Sequence, residues 1–210
     1  MKLYQVCHNV WVKKPNNLFF SLQQLVVDLA LINRNHHLVG NERSENDIEH
    51  SFAVALLCWF IHDNYNIDLD LNKIFKYAIV HDFAEKYAGD INTFASKEDR
   101  QKKVELEKNA VKLLNKEFKD FRGLVKALNN YELKADEEAI FVWTVDKIQA
   151  LILGDMDGWR PYKKINISYE MFTKKHHEQL AICSSYCREI FETVLAYCET
   201  TFYDRPKTSS

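Results

Sequence analysis

Hydrophobic residues along this chain recur with helical spacing, and in three segments they close up into runs with no polar side. Leu22, Leu25, Val26, Leu29 and Ile32 form one stripe, which predicts a helix over Leu18 to Ile32 leading into a polar loop from Asn33 to Glu45. A second helix is predicted from Asn46 or Asp47, both good N-caps, to about Asp63. Its middle, FAVALLCWFI, is apolar all round, the mark of a buried helix. The third, Leu71 to Lys86, repeats this with Ile74, Phe75, Ala78, Ile79 and Val80, and Gly89 then ends it. Dense charge from Lys97 to about Lys116 reads as a solvated amphipathic helix, and a short helix follows around Phe121 to Asn130. Ala135 to Asp157 makes a long helix with the apolar centre AIFVWTVDKIQALIL. A last helix covers about Tyr169 to Thr200, and the end of the chain, 203–210, is expected to fray.

With five glycines and three prolines in 210 residues, and no alternating period between them, the expectation is an all-α, single-domain helical bundle over 1–210, its core spanning about 18–200. The formal net charge of -2 provides no global field for a nucleic-acid polymer or an anionic membrane, so any phosphate binding must be local. The first residues lack the apolar run of a signal peptide, and no apolar stretch is long enough to span a bilayer. Five cysteines at irregular spacing suit free thiols in a reducing compartment, so a cytoplasmic protein is expected. Cys183, Cys187 and Cys198 read as small hydrophobes rather than as metal ligands.

The most apolar helices each hold an ionisable residue where water is scarce: His50, the pair His81 and Asp82, and Asp146. Burying an unpaired carboxylate costs several kcal/mol, roughly, even after relaxation. Each such group must find its own cationic partner, or all of them converge on one shared cation. Two imidazoles and two carboxylates suit a divalent transition metal with positions left for water and a substrate oxygen. This mixed set favours manganese, cobalt, iron or zinc over calcium and magnesium, which prefer all-oxygen shells.

The segments RSENDIEHS, AIVHDFAEKYAGDI and TVDKIQAL together resemble the HD-domain superfamily, within it the group of bacterial 5'-deoxynucleotidase and its eukaryotic relatives. The resemblance covers about Leu29 to Leu153. It implies a helical bundle with one divalent metal and release of phosphate from deoxynucleoside 5'-monophosphates by attack of a water that the metal acidifies. Other HD enzymes release triphosphate from deoxynucleoside triphosphates, and a catalytically silent nucleotide sensor is the alternative from another class. His50, His81, Asp82 and Asp146 match the family's metal ligands. Glu85 matches the acidic residue that orients or activates the attacking water, so Asp82 and Glu85 carry the catalysis. The spacing supports this independently, since Glu85 lies three and four residues from Asp82 and His81 on one helix face. Asp90 matches an aspartate that contacts the sugar, and Arg34 an arginine at the substrate site.

Arg43 and Lys147 complete the substrate-binding set, because a transferring phosphoryl group needs cations around it. Asn35 stands where the bacterial enzyme has tryptophan, beside the expected sugar and base, which leaves the nucleotide open. Arg160, Lys163 and Lys164 are expected in a solvated turn and Trp143 in the core, whereas Trp159 and Tyr162 are candidates for stacking on a base. His62, His176 and His177 are expected on solvated faces. The partner implied is a nucleotide substrate, and homodimers are common in the family.

Overall fold

A computed structural model describes residues 17–40, 43–89 and 97–204. Asp90, the leader at 1–16 and most of the expected frayed tail therefore lie outside the described residues. The elements in order are α1 (Asn17–Ala30), β1 (Asn33–His37), β2 (Ser44–Asn46), α2 (Asp47–Asn64), α3 (Leu71–Val80), α4 (Glu85–Ala88), α5 (Lys97–Glu117), α6 (Arg122–Glu132), α7 (Glu137–Met156), α8 (Arg160–Lys164), α9 (Tyr169–Leu180) and α10 (Arg188–Asp204). They form the expected all-α bundle, and none of the described helices is long and apolar enough to cross a membrane.

The bundle is organised around α7. Ala139, Phe141, Val142, Val145, Ile148 and Leu151 are buried along it, and it packs against α2, α3, α6, α10 and β1. Its start is fixed by Asp136, whose one carboxylate oxygen accepts the Ala139 N–H at 3.1 Å while the other accepts from Tyr77 Oη at 2.9 Å, tying the cap to α3. The N-terminus of α2 is closed by a capping box: the Asn46 side chain accepts from the Ile48 and Glu49 N–H groups, and Glu49 accepts from the Asn46 N–H.

Four expectations about the ribbon and the long helices change. The polar loop after α1 is an antiparallel ribbon, with Asn33 opposite Asn46 and His37 opposite Ser44. Its inward residues, Arg34 and Glu45, are charged, so no hydrophobic alternation marks it in the sequence. The third helix stops at Val80. There the His81 imidazole donates to the Ala78 carbonyl at 2.8 Å, the acceptor that an unbroken helix would offer to the Asp82 N–H. The last helix divides at Ser184, whose hydroxyl caps a turn of 3₁₀ helix at Ser185–Cys187 and whose N–H is held by Thr144 Oγ1 at 2.9 Å. Finally, α2 is apolar all round but buried on one side: Val54, Cys58 and Ile61 face in, while Phe52, Leu56, Trp59 and Phe60 face solvent.

The segment GWRPYKK forms the single-turn α8 in place of a turn, entered through Trp159 at φ +61°. Trp159 and Tyr162 belong to the core, not to a base-stacking surface: Trp159 is fully buried, edge-on to Tyr162, Phe172 and Phe202. Trp143, expected in the core, is partly buried at the rim of a pocket. Cys58, Cys183, Cys187 and Cys198 are buried free thiols. Gly154 on α7 admits the Trp159 ring, since a Cβ there would stand 2.5 Å from Trp159 Cζ3. Gly154→Ala must therefore displace a fully buried indole and should destabilise the protein by about 1–3 kcal/mol. The measurement is urea unfolding followed by circular dichroism; an unchanged midpoint would contradict this packing.

Candidate metal centre

Five elements bring ionisable side chains to one point. β1 supplies Arg34, the first turn of α2 His50, the turn after α3 His81 and Asp82, α4 Glu85, and the middle of α7 Asp146 and Lys147. His50 Nε2 lies 3.0 Å from Asp146 Oδ1 and 3.5 Å from Asp82 Oδ2. His81 Nε2 lies 3.1 Å from the same Asp82 oxygen. Arg34 Nη1 reaches Asp82 Oδ2 at 2.5 Å, Asp47 Oδ1 at 3.4 Å and Glu85 Oε1 at 3.7 Å, and Lys147 Nζ reaches Asp146 Oδ2 at 2.6 Å.

This arrangement fits a divalent cation. His81 Nδ1 donates to the Ala78 carbonyl, which turns Nε2 inward, buried and without a hydrogen bond, 3.1 Å from an Asp82 oxygen. Ring nitrogens and carboxylate oxygens set this close call for a positive charge held between them, as a proton or as a metal ion. Ligand atoms of His50, His81 and Asp82 all fall within 4.8 Å of one another, and the contact to His50 adds Asp146. Charge points the same way. Glu45, Asp47, Asp82, Glu85 and Asp146 set five carboxylates against the two cations Arg34 and Lys147, an excess of three negative charges (5 − 2) among these described residues.

The protonation energetics follow from this excess. Burial and Arg34 oppose a proton on His50, yet Asp146, Glu45 and Asp82 outweigh them and hold its pKa up at about 9. Burial also opposes ionisation of Asp82 and Asp146; His81 and Arg34 around the first, and Lys147 and His50 around the second, keep both far below the usual carboxylate range. A proton and a metal ion thus compete for His50 Nε2.

Glu45, Asp47 and Gln149 escaped the reading of the sequence. Glu45 Oε2 stands 3.3 Å from His50 Nδ1, and its other oxygen accepts from Gln149 Nε2 at 3.1 Å. All three side chains are buried, so Glu45 fixes the ring that presents Nε2 to the centre, and Gln149, one turn beyond Asp146, fixes Glu45. The i, i+3 spacing of Asp146 and Gln149 was a usable signal. Glu45 carried none, because it lay in the segment read as a loop.

Arg43, expected at the substrate, instead makes a bidentate pair with Glu49 at 2.8 Å for both bonds, on the surface at the start of α2. His62 is half-covered, held between Asp63 and the Leu69 carbonyl rather than exposed. His176 is buried against Phe172, its ring centroid 4.3 Å away, and burial lowers its pKa to about 4; of the pair, His177 alone is exposed. A cavity of about 270 Å³ opens above the cluster. Lys103, Lys134 and Trp143 form its outer wall, with Lys134 Nζ and Lys147 Nζ at 5.4 and 5.7 Å from the Trp143 ring centre. Glu132 also lines it, its pKa raised from 4.5 to about 7 by burial and by Glu107.

A family model described as HD domain matches residues 28–185. None of the curated proteins compared with the chain matches it. Among solved structures, a Magnetospirillum magnetotacticum protein described as a predicted metal-dependent phosphohydrolase is similar at a TM-score of 0.73 and 19% identity, over 92% of this chain and 98% of its own. A Pyrococcus horikoshii protein is similar at 0.59 and 22%, over 84% and 98%. A conserved protein of Pyrococcus furiosus is similar at 0.53 and 23%, over 83% and 98%. What is shared at these identities is the fold.

Removing the Glu45 carboxylate should weaken metal binding without disturbing the helices. Glu45→Ala is expected to lower the affinity for zinc by roughly 10- to 100-fold, measured by chelator competition. An affinity equal to that of the unaltered protein would show that Glu45 does not orient His50.

Proposed function

The chain belongs to the HD-domain family, and on that premise we propose that it is a metal-dependent phosphohydrolase acting on nucleotides. One observation carries the reading: His50, His81, Asp82 and Asp146 converge on a point of excess negative charge beneath a pocket walled by Arg34, Lys147, Lys134 and Lys103. The Magnetospirillum protein of the same fold is described as a metal-dependent phosphohydrolase, which supports it. Zinc, manganese, cobalt and iron all suit this donor set.

Bound there, a divalent ion supplies Lewis acidity to a phosphate oxygen and makes water a stronger acid. Glu85 lines the same pocket beside Asp82 and holds the attacking water, taking its proton. Arg34, braced by Asp47, and Lys147, braced by Asp146, hold the phosphoryl oxygens as charge spreads over them. The substrate we favour is a deoxynucleoside 5'-monophosphate, with Asp90 left to the sugar by the family resemblance. Lys103 and Lys134 give a second reading, a deoxynucleoside triphosphate cleaved to tripolyphosphate, because they place two more cations on the outer lining, although Glu107, paired with Lys103 at 3.6 Å, and Glu132 offset them there. Product analysis on a panel of nucleoside mono- and triphosphates with each metal separates the two: orthophosphate in the first case, tripolyphosphate in the second. No turnover on any of them would overturn the proposal.

Two variants split the roles. Asp146→Ala should lose both metal and phosphate release while the protein stays helical. Glu85→Gln should keep the metal and lose turnover by roughly 10²- to 10⁴-fold. Full turnover in either variant contradicts the assigned role, as read by phosphate release beside metal content.

Glu132 makes binding depend on pH. Desolvation at the pocket wall and the nearby Glu107 carboxylate raise its pKa from 4.5 to about 7 although the side chain keeps contact with solvent, so it ionises between about pH 6 and 8. Over the same range it adds a negative charge to the pocket wall. KM for an anionic substrate should therefore climb from pH 6 to 8 more steeply in the unaltered protein than in Glu132→Gln, and identical profiles would contradict this.

A further inference from the structure

Tyr131 ends the buried stripe of α6, after Leu124, Ala127 and Leu128. Its ring packs as theirs do, 6.3 Å from the ring of Tyr77 and edge-on to His81 at 6.0 Å. A tyrosine in such a place usually finds a hydrogen bond for its hydroxyl. This one differs: Tyr131 is only 8% exposed and lines the cavity above the metal centre, and its hydroxyl has no hydrogen-bond partner among the described residues. The partner must therefore come from the cavity. Burial, then Asp146 and Asp82, oppose ionisation of the phenol, so what it offers there is an O–H donor.

Contacts in the cluster run in sequence from Glu85 through Arg34 and Asp82 to His50 and Asp146. Glu85, assigned to the attacking water, stands at one end. The Tyr131 hydroxyl belongs to the other, since Asp146 acts on it more strongly than Asp82 does. In phosphoryl transfer the attacking and leaving oxygens lie roughly in line on opposite sides of phosphorus. We propose that the Tyr131 hydroxyl donates a hydrogen bond to the leaving oxygen, the atom that joins phosphorus to the sugar. The role rests on the proposed phosphohydrolase activity and serves both of its substrates, because orthophosphate and tripolyphosphate are released by breaking the same P–O bond to the sugar. Water adds its oxygen to phosphorus and gives a proton to Glu85. The bond to the sugar oxygen breaks with its electron pair left on that oxygen, which takes a proton from solvent while Glu85 returns one. Charge that develops on the leaving oxygen meets a donor already fixed by the packing of its ring.

Tyr131→Phe removes the hydroxyl and keeps the ring, so helicity by circular dichroism and zinc affinity by chelator competition should match the unaltered protein. On the best nucleotide of the panel its kcat should fall by roughly 10²- to 10³-fold with little change in KM. On the analogue of that nucleotide with sulfur as the bridging atom, the loss should shrink to about threefold or less, because a thiolate leaves as a weaker base and accepts hydrogen bonds poorly. Equal losses on the two esters, which a purely structural role gives, overturn the proposal. Full activity on the oxygen ester or weakened zinc binding in the variant also overturns it. No turnover of any nucleotide by the unaltered protein overturns the phosphohydrolase activity itself, and this role with it.

Discussion

An excess of buried negative charge where α2, α3 and α7 meet is the constraint on which this structure depends. Five carboxylates and two imidazoles share a small volume with one guanidinium and one ammonium. In an interior of low dielectric such an imbalance is costly unless a further positive charge is present. Protons on His50 meet part of the demand, and a divalent ion among His50, His81, Asp82 and Asp146 would meet it more completely. The packing of three helices would thus be coupled to the occupancy of one point, and on the proposed reading metal binding contributes to the stability of the fold.

The backbone departs from regular helix where this centre needs it to. Helical hydrogen bonding in α3 ends at Val80, and the His81 ring donates to the Ala78 carbonyl, which turns Nε2 inward to 3.1 Å from Asp82 Oδ2. The β1–β2 ribbon makes a second adjustment, delivering Arg34 from one strand and Glu45 from the other to opposite sides of the cluster. Chemistry here rests on short irregular segments held by long apolar helices.

The long helices were legible because their apolar periodicity is a property of the sequence itself, and the convergence of His50, His81, Asp82 and Asp146 because ionisable groups within apolar runs demand compensation. What escaped depended on polar groups acting at a distance. Glu45 and Gln149 matter through a hydrogen bond between residues far apart in sequence, and the ribbon that carries Glu45 has charged inward positions, so no hydrophobic pattern announces it. The break at His81 is set by a side chain competing for a backbone carbonyl, which leaves no trace in periodicity. Arg43 was named for the resemblance of RSEN to the family, and a match of residues says nothing about direction; in this structure it pairs with Glu49 on the surface. The apolar run of α2 misled in the opposite sense, since hydrophobicity on all sides predicted full burial while Phe52, Leu56, Trp59 and Phe60 stay exposed.

The central claim, that these four side chains hold one divalent ion, is tested most directly by diffraction from crystals grown with zinc, recorded on both sides of the zinc absorption edge. A single strong anomalous peak is expected about 2.0–2.2 Å from His50 Nε2, His81 Nε2 and an oxygen of each of Asp82 and Asp146. An anomalous map with no peak at that point, in crystals where zinc is bound elsewhere on the protein, would contradict it.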